Sequence, residues 1–210
     1  MSLDFIVYFL IISLVSINGI VKFKVLTIPF KILTVIIFLT LISEIISRIL
    51  VHKIRNSNPP YHVLCIIQYI GFSLIYYYLF NQSIKKRFSI SLIIPFITIS
   101  ILNSVFFQPI LTFPSYILML SFIIFIIFSL MLFLEMLESP KETTIGRQSI
   151  FWFNCAMFVY STSVPICFGM LSHFIKHNLN TDLLNGFLYY ITLLYYFTLG
   201  ISIWLDKEKS

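Results

Sequence analysis

Residues 29–51 read PFKILTVIIFLTLISEIISRILV. The run exceeds the roughly 20 apolar residues a helix needs to cross about 30 Å of hydrocarbon. It opens on Pro29, a residue helix starts tolerate. Yet it carries Glu44 and Arg48, one helical turn apart. A charge at bilayer depth costs about 3 kcal/mol or more unless it is paired or faces a polar cavity. Thr40, Ser43 and Ser47 share their stripe at helical spacing. Glutamate four residues ahead of arginine is the favourable order for an intrahelical pair. Two readings follow: a structural clasp from which Arg48 snorkels outward, or one wall of a polar cavity.

The rest of the chain repeats the pattern. Of its 210 residues, 59% are hydrophobic and only 10% charged, more apolar surface than a soluble domain of this size can hide. Apolar blocks at 3–21, 29–51, 61–80, 88–107, 113–137, 150–173 and 183–205 predict an all-α polytopic bundle of seven transmembrane helices, forming a single domain over residues 1–210. Asn56-Ser57-Asn58-Pro59-Pro60 and the stretch from Gln108-Pro109 to Pro114 read as turns. Pro95 and Pro165 each remove a backbone donor and predict kinks. Helix five, nearly bare of strong polar groups between Tyr116 and Glu135, is expected to face lipid. No loop exceeds about a dozen residues, too little for a soluble catalytic, nucleotide-binding or DNA-binding domain.

The net charge of +6 is spread over helix ends and is not a nucleic-acid footprint. Asp4 precedes the first apolar run and Lys22 and Lys24 follow it, an order expected of a retained helix rather than a signal peptide. With the N-terminus outside, Lys22, Lys24, Lys31, Lys85, Lys86, Arg87, Lys141, Arg147, Lys207 and Lys209 fall on the cytoplasmic side. Arg48, Lys53, Arg55 and Lys176 fall outside. The positive-inside balance therefore predicts N-out and C-in. Cys65, Cys155 and Cys167 lie within apolar blocks without CxxC spacing and are expected to be free thiols. Short loops and unpaired cysteines fit a bacterial inner membrane.

Topology places the strongest polar groups at one depth. Glu44, Arg48, His62, Gln68, Asn103 and Asn185 all fall in the outer half, with Tyr189 one turn beyond Asn185 in a stripe that continues through Thr192, Tyr196 and Gly200. Helices two, three, four and seven are thus expected to enclose an outward-facing polar cavity. His173 and His177 form an HxxxH that puts two imidazoles on one face; with His62 and Asp182 they make the candidate zinc ligands of an intramembrane hydrolase. The Ser, His and Asp motifs of seven-helix zinc hydrolases, such as alkaline ceramidases, are missing from the other helices. Retinal is not expected as a cofactor, because residues 183–205 hold no lysine for a Schiff base. No GxGD, HExxH or GxSxG marks an intramembrane protease or lipase.

Three stretches resemble small seven-helix integral membrane proteins of Bacteroidetes-type bacteria. They are the Asn-rich entry and aromatic helix at 56–80 with Lys85-Lys86-Arg87, then Ile150-Phe151-Trp152 with Tyr160, and the aromatic run 183–204 ending in Trp204. Some members are encoded beside sensor histidine kinases, so the resemblance implies a signalling partner of that type. Their third helix often carries glutamate where Gln68 stands, which argues against proton or cation handling here. No catalytic residue carries over.

These readings combine into a membrane sensor or signalling component rather than an enzyme, relaying a helix movement to a cytoplasmic partner through the loop at 138–149. The alternatives are a small-solute transporter or channel using Glu44 and Arg48, and the zinc hydrolase.

Overall fold

A computed structural model describes residues 3–138 and 147–206. Each apolar block becomes a helix: α1 Leu3–Lys22, α2 Ile28–Ile54, α3 Pro59–Leu79, α4 Ser83–Ser91, α5 Ile93–Leu102, α6 Ser115–Glu138, α7 Ser149–Lys176 and α8 Asp182–Leu205. With a π-helical turn at Asn103–Phe107, α4 and α5 make one span, Ser83–Phe107. Seven helices are therefore long and apolar enough to cross a membrane, and no strand occurs among the described residues. The expected all-α class and the count of seven hold. The fourth span begins at Ser83, ahead of the expected residue 88, so Lys85, Lys86 and Arg87 lie on helix rather than in a loop. Residues 139–146, most of the loop expected to contact a partner, lie outside the described residues, as do residues 207–210.

Proline chemistry sets several boundaries. Pro29 in α2 and Pro59 and Pro60 in α3 occupy first-turn positions, where a missing N–H costs nothing. Pro95 has no N–H for the Ser91 carbonyl, and the helix breaks at Leu92 between α4 and α5. At Pro165, by contrast, α7 runs on without interruption. The end of α2 is closed by Arg55 at φ 55°, whose N–H bonds the Val51 carbonyl.

The chain forms two compact units, one built from residues up to Val15 and Phe122–Asp206, the other from Ser16–Ser121. In the second unit α2 and α3 form an antiparallel hairpin. From its turn inward, Ser47 Oγ donates to the Ser57 carbonyl at 3.2 Å, Tyr61 OH meets Glu44, and Gln68 Nε2 donates to Thr40 Oγ1 at 3.1 Å. Deeper still, Gly71 lets Ile36 approach so closely that a Cβ at 71 would lie 2.5 Å from Ile36 Cδ1. On its other side α3 meets the fourth span, with Tyr69 stacked on Phe96 at 3.6 Å between centroids. Gly19 packs against Thr34, where an added Cβ would fall 2.6 Å from the threonine side chain. In lipid, helix association rests on such close packing and interhelical hydrogen bonds, not on hydrophobic expulsion.

In the first unit α7 packs on α8, with Tyr160 and Tyr195 stacked at 4.2 Å. Ser149 Oγ donates to Asp206 Oδ1 at 3.3 Å at one end of this pair. Between α6 and α7, buried Asn154 donates through Nδ2 to the Ser129 carbonyl at 2.9 Å. Helix five, expected to face lipid, is exposed along Ile123, Leu130 and Leu134 but not all round. One face of α6 buries Phe122, Phe125, Phe128 and Leu132 together with Ser129 and Glu135. The reason is that a bilayer is as apolar as a helix interface, so lack of polar groups cannot tell lipid from neighbour.

Candidate functional site

The second unit concentrates its polar groups at the end that holds the α2–α3 turn. The Tyr61 hydroxyl donates to Glu44, 3.3 Å from Oε1 and 3.4 Å from Oε2. Glu44 is half-buried while Arg48 is exposed near the helix end, which suits a side chain reaching for the interface.

Next to Tyr61, buried His62 is held at both ring nitrogens. Its Nε2 lies 2.8 Å from the Thr112 carbonyl, which can only accept, so Nε2 carries a proton. Its Nδ1 lies 2.9 Å from Ser104 Oγ, and that hydroxyl is also 3.0 Å from the Ser100 carbonyl. A neutral ring makes these two acceptors compete for one hydroxyl proton.

The loop at 108–114 is tied down twice more. Asn56 Nδ2 and Asn58 Nδ2 both donate to the Leu111 carbonyl, at 2.7 and 2.9 Å. Buried Asn103 donates through Nδ2 to Gln108 Oε1 at 3.2 Å; Gln108 in turn donates to Ser115 Oγ at 2.8 Å and accepts from the Tyr116 N–H at 3.1 Å. Asn103 and Tyr116 also line a cavity of about 450 Å³ between the π-helical turn and the start of α6, together with Leu102, Phe107 and Ile117. The result is a layer of hydroxyls, amides, one carboxylate and one imidazole that can recognise a small polar group.

Of the expected site residues, Glu44, Arg48, His62 and Asn103 lie at this end of the second unit, and Gln68 sits deeper on Thr40. Asn185 and Tyr189 belong to the first unit. Asn185 is exposed and donates to Thr181 Oγ1 at 3.2 Å, and Tyr189 packs edge-on to Tyr190 at 5.2 Å between centroids. Further along that stripe, Tyr196 meets Tyr8 edge-on at 5.8 Å and Gly200 lies against Val15, so it serves α1–α8 packing. Ser104, Thr112 and Gln108 escaped the sequence reading, because hydroxyls and a Gln-Pro step are equally common in plain turns. Glu135, only 4% exposed, was overlooked for its place near a helix end.

His173 and His177 are exposed neighbours with ring centroids 4.4 Å apart, and Asp182 is exposed. His62 is in the other unit with both nitrogens engaged. Among the described residues no three His, Cys, Asp or Glu side chains gather as a metal site. The three cysteines are free thiols. Comparison of the chain with protein-family models, curated proteins and solved structures gives no match.

Proposed function

We propose that this chain is a seven-helix membrane sensor or signalling component, with the Glu44–Tyr61–His62 layer as its ligand-receiving end. The observation that carries the reading is the double engagement of His62, which joins α3 to the π-helical end of α5 and to the loop at 108–114. A ligand arriving there changes the partners of Ser104. The π-turn is an element with an ordinary α-helical alternative, as a two-state relay requires. The layer faces outward and the C-terminus lies in the cytoplasm of a bacterial inner membrane, following the cation balance. The output passes to a cytoplasmic partner of the histidine-kinase type, the class suggested by the resemblance.

The test uses the full chain in its own membrane. Glu44→Gln and His62→Gln should alter the partner's basal output while the amount of inserted protein stays at the wild-type level. A loss of inserted protein with unchanged output per molecule would leave only the structural clasp.

A further inference from the structure

The end of α7 sets two imidazoles side by side, away from the polar layer. His173 stands in the last helical turn and His177 caps the helix four residues on, so both side chains leave one face. Backbone bonds fix that cap. Asn178 takes a left-handed φ of 53°, its N–H bonds the Ile175 carbonyl at 3.2 Å, and the Leu179 N–H bonds the Phe174 carbonyl at 2.9 Å. This paired closure is a common way for a helix to end. Both histidines are exposed, with ring centroids 4.4 Å apart and planes tilted by 47°. Among the described residues neither ring has a hydrogen bond, unlike His62.

Neutral imidazole is a ligand for late first-row divalent ions, and the spacing selects among them. Given a metal–nitrogen bond of about 2.0–2.1 Å and a nitrogen about 1.1 Å from its ring centroid, two imidazoles on one ion hold their centroids roughly 4.5 Å apart at a right angle and roughly 5.1 Å apart at the tetrahedral angle. The observed 4.4 Å matches adjacent corners of a square. That is the arrangement of Cu(II) and Ni(II), not of tetrahedral Zn(II), and Cu(II) binds nitrogen ligands the most tightly of the three. The negative end of the α7 dipole favours a cation here, against the repulsion of exposed Lys176. We infer that His173 and His177 form a surface copper(II) site, holding two adjacent positions of the ion and leaving the others to water. It needs neither His62 nor Asp182 and so differs from the four-ligand zinc set expected from the sequence. It is also independent of the proposed polar layer, because His62 belongs to the other unit.

The test titrates tag-free, full-length protein in lipid nanodiscs with Cu2+ alone, read by calorimetry and electron paramagnetic resonance, with empty nanodiscs as the blank. Wild type should bind one ion whose axial spectrum shows coupling to two imidazoles. His173→Ala and His177→Ala should each weaken binding about ten- to hundredfold, because the second bond is no longer intramolecular, and should leave coupling to one imidazole. Ile175→His combined with His177→Ala keeps the number of histidines but turns the second ring to the opposite face. That protein should bind no better than His177→Ala. Zn2+ should bind wild type about tenfold or more weakly than Cu2+. Without metal all the variants should melt as wild type does, because both rings are exposed, so a lost site is not a lost fold. Equal affinity of wild type and either alanine variant would overturn the inference. So would coupling to one imidazole in wild type, tight binding by the relocated pair, or Zn2+ binding as tight as Cu2+.

Discussion

The Tyr61 hydroxyl reaches both carboxylate oxygens of Glu44, at 3.3 and 3.4 Å, and so joins α3 to α2 beside the hairpin turn. At these lengths the bond is weak for one involving a carboxyl group. Tyr61→Phe is expected to destabilise the protein by about 1 kcal/mol. Glu44→Leu should cost more than Glu44→Gln, which keeps an acceptor for Tyr61. A double-mutant cycle read by unfolding in mixed micelles checks this; additive effects of Tyr61→Phe and Glu44→Leu would show the contact to be idle.

Gly71 is the tightest point of the same hairpin, since its missing Cβ is what admits Ile36. Gly71→Val should destabilise by roughly 1–3 kcal/mol through overpacking. Ile36→Ala alone leaves a cavity and costs about 2–5 kcal/mol. Combined, each change relieves the other, so the double variant should be more stable than the sum of the two predicts. Thermal unfolding of the four proteins decides it.

His62 anchors the loop at 108–114 through the Thr112 carbonyl. His62→Phe keeps an aromatic ring, somewhat larger than imidazole, and removes both bonds. Amide exchange across residues 110–116 should then quicken several-fold while the core of α3 stays protected. If exchange in α3 accelerates equally, His62 is a packing residue and not a latch.

Orientation has a direct readout. Asn58→Cys lies at the α2–α3 turn, Gln82→Cys at the opposite end of α3, and both positions are outside helices. In intact cells a membrane-impermeant maleimide should label Asn58→Cys and spare Gln82→Cys. Labelling of Gln82→Cys alone would invert the topology inferred from the cations.

Some of the site was legible beforehand because intramembrane polarity is conspicuous. Glu44, Arg48, His62 and Asn103 stand out against Ile, Leu and Phe, and three of them, Glu44, His62 and Asn103, make hydrogen bonds with residues from another helix or loop at one end of the second unit. Their partners were not legible. Ser104, Thr112 and Leu111 contribute a hydroxyl and two carbonyl oxygens, and backbone carbonyls are present at every residue. The α8 stripe was ambiguous for a related reason. Tyrosine and glycine at helical spacing suit a polar wall, but they equally suit close helix packing, as Tyr196 and Gly200 do against α1.

Length and hydropathy determined, among the described residues, seven helices long and apolar enough to cross a membrane, their approximate limits and the proline-bearing turns, since crossing hydrocarbon demands about 20 apolar residues with every backbone bond satisfied internally. Which face of each helix is buried was decided only by tertiary structure: α6, the most uniformly apolar helix, buries one face while residues such as Val63 and Ile94 stay exposed. A hydrophobic solvent removes the inside–outside contrast by which soluble helices reveal their buried side. The same holds for residues 29–51. Sequence marked Glu44 and Arg48 as costly, but only the fold separated a half-buried carboxyl on Tyr61 from an exposed arginine.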